Sequence, residues 1–147
     1  MPFSQDFYFQ PTLEVAEQLL GQHLVYESPE GLLVGEINEV ESYIGTADPA
    51  CHGARGKDLR NAVLFGPGGF AYIYFTYGMY YCFNAVTGEA GSPSGILIRS
   101  IIPIQGLKVM TNNRHKGKTK AIPDKELTNG PGKICLAYNL TTTQNGL

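Results

Sequence analysis

Two periodicities alternate along the chain. In "PTLEVAEQLLG" (11–21), Leu13, Ala16 and Leu20 fall at helical spacing, with Pro11 suited to the first helical position and Gly21 to the end. From His23 the period becomes two. "HLVYE" and "LLVGEINEVESYI" read as paired strands joined by the turn-forming Ser28, Pro29, Glu30 and Gly31. "GFAYIYFT", "YYCFNAV" and "GILIRSII" are further strands, rich in aromatic and β-branched residues and bounded by Gly or Pro. Helical spacing returns near 104–112, at "DKEL" and at "GKICLAY" after Pro131. Strands in the middle and helices on the flanks predict an α+β fold built on an antiparallel sheet.

Strand alternation puts Leu33, Ile37, Glu39, Glu41 and Tyr43 on one side of the second strand. Two carboxylates on a face that begins apolar are either a strand end entering solvent or the wall of a site, and the pattern supports both. The segment "YIYFTYGMYYCFN" (72–84) holds five of the nine tyrosines of a chain without tryptophan. There Tyr72 and Tyr74 point to one face and Ile73 and Phe75 to the other, while Gly78 permits a bend that leaves Tyr77 at an exposed corner. Such rings either pack as good sheet formers or make a stacking surface for nucleobases, with a protruding phenol able to wedge into a base stack. His52, in "ADPACHGARG", is equally open between hydrogen-bonded loop residue and site residue.

Composition narrows the choices. A chain of 147 residues and 16.0 kDa, 43% hydrophobic and with no apolar run of about 18, predicts one domain without a membrane span. The N-terminus has neither the basic start nor the apolar stretch of a secretory signal, so a cytoplasmic protein is expected. Cys51, Cys82 and Cys135 are odd in number and widely spaced, which predicts reduced, mostly buried thiols. Glu39, Glu41, Asp48 and His52 have no recognised ligand spacing, so no metal is expected. "GPGK" and "GKT" lack the upstream glycine of a phosphate-binding loop, which leaves nucleotide hydrolysis unsupported. The formal net charge of −2 conceals an asymmetry: residues 1–50 contain no Lys or Arg, and all 11 basic residues lie between Arg55 and Lys133. A basic surface for nucleic acid can therefore exist on a slightly acidic protein.

"INEVESYIGTADPACHGARG", "RNAVLFGPGGFAYIYFTYGMYYCFN", "GILIRSIIPIQG" and "ELTNGPGKICLAYNL" resemble, in order and spacing, the alkyladenine (3-methyladenine) DNA glycosylases, from about Asp6 to Leu147. The resemblance implies a curved, partly barrel-like sheet flanked by short helices, acting as a monomer on duplex DNA with damaged purines and without a cofactor. It makes Glu41 the catalytic carboxylate that activates water, with Arg99 near that water and the DNA backbone. Tyr43, His52 and Tyr74 would enclose the flipped base, Asn84 would disfavour the exocyclic amine of guanine, and Tyr77 would fill the space vacated in the duplex. Arg55, Lys57, Arg60, Lys116 and Lys118 are the candidate backbone contacts.

Hydrolysis through an oxocarbenium-like sugar suits one ionised carboxylate, and the absence of lysine from the pocket motifs favours water over an amine as nucleophile. An abasic site without strand cleavage is the expected product. A non-enzymatic module stacking single strands on its tyrosines is the main alternative, followed by a nucleoside hydrolase and by a structural protein with a tyrosine-rich core. Members of the family are expected to continue past the point matching Leu147, with a tail that adds core structure and a backbone carbonyl at the water site. Residues 1–147 are therefore read as a single glycosylase domain lacking that segment.

Overall fold

The computed structural model describes residues 2–76, 78–116 and 120–147. Helix α1 (Thr12–Leu19) is followed by strands β1 (His23–Ser28), β2 (Gly31–Tyr43), β3 (Ala71–Thr76), β4 (Tyr80–Thr87) and β5 (Ser94–Gln105), and then by helices α2 (Leu107–His115) and α3 (Pro131–Tyr138). The strands form one antiparallel sheet in the order β1-β2-β5-β4-β3, curled into a half-barrel as the resemblance implies. "DKEL" contributes a 3-10 turn at Asp124–Glu126. No helix among the described residues is long and apolar enough to cross a membrane.

The three helices cover one face of the sheet. Val15, Ala16 and Leu19 of α1 meet Leu33 and Ile37 of β2, Ile73 of β3, Ile96, Ile98 and Ile101 of β5, Met110 of α2, and Ile134, Ala137 and Tyr138 of α3. The inward face of α1 is thus Val15/Ala16/Leu19, whereas Leu13 and Leu20, expected inside, are exposed. Helical spacing allowed either stripe, and the wider one, which includes the buried Thr12, packs. All three cysteines are free and buried.

A second, smaller cluster lies on the opposite face of the sheet. Tyr72 of β3, Val86 of β4, Cys51 and Leu64 are buried there, with Tyr43, Val63 and Tyr74 packed around them. Ile73 belongs to the main core, so the tyrosine strand divides its residues between faces as its alternation predicts. The long β2–β3 connection folds down on this second face. At Gly53 it approaches Pro93 so closely that a Cβ would lie 2.4 Å from the proline Cβ, which leaves room only for glycine.

The predicted common face of β2 is broken by irregular pairing. Ile37 pairs with Ile101, Glu39 with Ser100 and Val40 with Ile98, so Asn38 is an extra residue on β2 and Arg99 one on β5. Past Asn38 the alternation changes phase. Val40 continues the core side begun by Leu33 and Ile37, while Glu39, Glu41 and Tyr43 turn to the other face. A strict period of two, which placed all five on one side, fails at the bulge.

Candidate active site

The bulged strands assemble a carboxylate held from both sides. Tyr43 Oη donates to Glu41 Oε1, two residues along β2, and Arg99 donates from Nη1 to Glu41 Oε2 at 2.6 Å. Arg99 also donates from Nε to Glu39 Oε1 at 3.0 Å, so its guanidinium is fixed between two strand residues of one face. The hydrogen bonds from Tyr43 and then Arg99 hold the Glu41 carboxyl below its usual range, outweighing the opposing effect of partial burial. Tyr43 shifts the other way, to about 12, through its own burial and its bond to Glu41. At neutral pH the cluster is carboxylate, phenol and guanidinium.

Its sign sets a pH prediction. Because the folded-state pKa is depressed, Glu41 stays ionised, and the stability it contributes persists, until pH falls through that lowered value. Any rate that needs Glu41 as a base should keep its acid limb below the ordinary glutamate value of about 4.3. Tyr43→Phe retains the ring and removes the largest cause of the shift, so the acid limb of kcat/KM should move to higher pH; an unchanged limb would separate it from Glu41.

Beside the carboxylate stands an aromatic box. Tyr43, Cys51, His52, Leu64, Tyr72, Tyr74, Asn84 and Gly95 line a cavity of about 20 Å³. The His52 and Tyr74 rings are 4.0 Å apart, tilted by 54°, and the Tyr72 ring stands edge-on to His52 and 5.5 Å from Tyr74. Tyr72 Oη and His52 Nδ1 are 3.1 Å apart. Burial raises the Tyr72 phenol to about 12, so it stays protonated and can donate to Nδ1. Burial first, and the charge of Arg60 second, lower the pKa of His52, which is therefore neutral at pH 7. Asn84, 4% exposed, spends one Nδ2 hydrogen on the Tyr72 carbonyl at 3.2 Å.

On the far side of His52 a polar cleft of about 370 Å³ opens between the loop and β3, with Arg55, Arg60 and Thr76 on its walls. Arg60 donates from Nη2 to the Phe75 carbonyl. Asp48 does not join Glu39, Glu41 and His52: its carboxylate accepts from the amides of Ile44 (3.1 Å) and Ala50 (3.0 Å) and so closes its own turn.

Comparison with known proteins gives this arrangement a family. The description methylpurine-DNA glycosylase matches residues 6–147. The chain belongs to the methylpurine-DNA glycosylase family. It is 46% identical over 142 residues to a protein of Methanocella arvoryzae, covering 97% of this chain and 69% of that protein. A protein of Carboxydothermus hydrogenoformans is 44% identical over 146 residues (99% and 73%), and one of Bacillus thuringiensis 46% over 144 residues (96% and 70%). All three carry the name "Putative 3-methyladenine DNA glycosylase".

The residues that the resemblance to alkyladenine DNA glycosylases singled out fall into three places. Glu41, Arg99 and Tyr43 touch one another, and Tyr43, His52, Tyr74 and Asn84 share the box. Arg55 and Arg60 line the neighbouring cleft, and Lys57 is exposed on the same loop. Lys116 lies apart from them, exposed after α2 and lining a groove with Asn139 and Thr141 of the α3 end. Tyr77 and Lys118 lie outside the described residues. Three contacts were not anticipated from the motifs: Glu39 as second partner of Arg99, Tyr72 as partner of His52, and Asn61, which binds the His52 carbonyl. The alternation that pairs Tyr72 with Tyr74 was the available signal for the second; the others depend on a bulge and on a loop.

Proposed function

We propose that this methylpurine-DNA glycosylase family member excises damaged purines such as 3-methyladenine and hypoxanthine from duplex DNA by hydrolysis of the N-glycosidic bond. The observation that carries the reading is Glu41, ionised and fixed between Tyr43 and Arg99 at the edge of an aromatic box. A target base within a duplex is inaccessible, so the nucleotide must be extruded, at a cost smallest for damaged or mispaired bases. Tyr77, in "FTYGM", would fill the gap left behind. The base would lie against Tyr43, His52 and Tyr74, where a cationic alkylpurine gains roughly 0.5–2 kcal/mol from electron-rich ring faces. A neutral imidazole suits that ligand, since a protonated His52 would repel it.

The box as folded holds about one water and no purine, so it must widen when the base enters. Glu41 then takes a proton from the attacking water while its charge supports the developing oxocarbenium ion. Arg99 orients the carboxylate from Oε2. The leaving purine departs with its bonding pair, neutral if it was cationic and taking up the proton from Glu41 if it was neutral, and the sugar keeps the water oxygen as hydroxyl, giving an abasic site. Arg55 and Arg60 in the cleft beside His52, with Lys57, would receive backbone phosphates.

Base flipping separates this reading from that of a stacking module. With 2-aminopurine placed beside a hypoxanthine in a duplex, binding should raise its emission as the neighbouring base leaves the stack, and the chain should prefer that duplex to the matching single strand. Equal affinity for both, with no emission change on the duplex, would favour the module.

A further inference from the structure

The loop between β2 and β3 has little regular structure, yet one buried side chain bridges several of its backbone groups. Asn61, 5% exposed, donates from Nδ2 to the carbonyls of His52 (3.0 Å) and Gly56 (3.1 Å), and its Oδ1 accepts from the Asp58 amide (2.8 Å). Asp58 Oδ1 accepts in turn from the amides of Arg60 (2.8 Å) and Asn61 (2.9 Å). An asparagine has one acceptor and two donor hydrogens, and every kind of group it offers is used here. Aspartate would set a second oxygen against two carbonyls, and alanine would leave buried polar groups without partners.

We infer that Asn61 is a positioning residue for the proposed reaction: by gripping the His52 carbonyl from inside the loop, it fixes the imidazole as a wall of the base pocket. The side chain of His52 is restrained by Tyr72 and Tyr74, whereas its backbone is restrained by Asn61, so ring and main chain are held from opposite ends. Without the Asn61 side chain, the loop keeps the bond from the Gly56 amide to the Gly53 carbonyl (3.0 Å) but loses the bridge that joins the His52 and Gly56 carbonyls. The hydrogen bond to Tyr72 and the contact with the Tyr74 ring then hold the imidazole without a fixed main chain behind it. This inference rests on reading His52 as part of the base-binding wall.

A double-mutant cycle tests it. Single-turnover excision from a hypoxanthine duplex is compared for the unmutated chain, Asn61→Ala, His52→Ala and the double variant, each checked for cooperative thermal unfolding. Asn61→Ala should slow excision about tenfold, a coupling within the range found for contacting residues, and should add no more than about twofold once His52 is alanine. The same slowing in both backgrounds, or none in the unmutated one, overturns the inference. His52→Ala at full rate overturns the base-wall reading as well, which distinguishes the two failures.

Should Asn61→Ala not fold, the other leg of the tie replaces it. Asp58→Asn keeps the Oδ1 acceptor and should hold the unmutated rate, while Asp58→Ala should slow excision only where His52 is present. Equal rates for the two Asp58 variants contradict the inference.

Discussion

Glu41→Gln should lower single-turnover excision by about 10²–10⁴-fold, the range for loss of a positioned general base. The substitution keeps the shape and an oxygen for Tyr43 or Arg99 to approach, but removes both the proton acceptor and the negative charge. Duplex affinity should survive, because Arg55 and Arg60 line a cleft that Glu41 does not, and Lys57 is exposed on the same loop. A loss of rate under tenfold, with folding intact, would mean that another group activates the water. A parallel loss of affinity would make Glu41 a structural anchor for Arg99.

Raising salt from 50 to 200 mM should weaken duplex binding by about 40-fold, from three phosphate contacts, Arg55, Lys57 and Arg60 on the loop beside the cleft, each with a counterion-release slope of about −0.9. So steep a response from a chain of formal net charge −2 is a test of charge placement, since the acidic first third must stay away from the DNA. Fluorescence anisotropy over that range decides it. A flat response would remove these cations from the interface and leave stacking as the main source of affinity.

Strands were the most legible part of the fold because β-branched and aromatic runs bounded by Gly and Pro admit few other readings, and all five formed where the pattern put them. Faces were less legible. The exposure of Leu13 and Leu20 follows from a second stripe on the same helix, and only the packed sheet chooses between stripes. The turn of Glu39, Glu41 and Tyr43 away from the core depends on two extra residues, Asn38 and Arg99, and no local propensity marks a register shift set by cross-strand pairing.

The candidate site divides in the same manner. Tyr43 and Glu41 are neighbours on one strand, so their contact was within reach of alternation, and Tyr72 with Tyr74 likewise. Arg99 meets Glu41 across strands 58 positions apart in sequence, and His52 meets Tyr72 across 20. Motif resemblance brought Arg99 to Glu41 where spacing could not, but it left out Tyr72 as the partner of His52. Asn61 escaped both approaches because its role is made entirely of hydrogen bonds to loop backbone, which leave no periodic trace.

The proposed reaction breaks one N-glycosidic bond with water and leaves the backbone whole. The direct measurement is an end-labelled duplex carrying a single hypoxanthine, incubated with the chain and analysed before and after hot alkali. The expected result is an intact strand before alkali and a break at that position after it, with no break from the undamaged duplex. A break without alkali, or none with alkali although the folded chain binds the duplex, would contradict it.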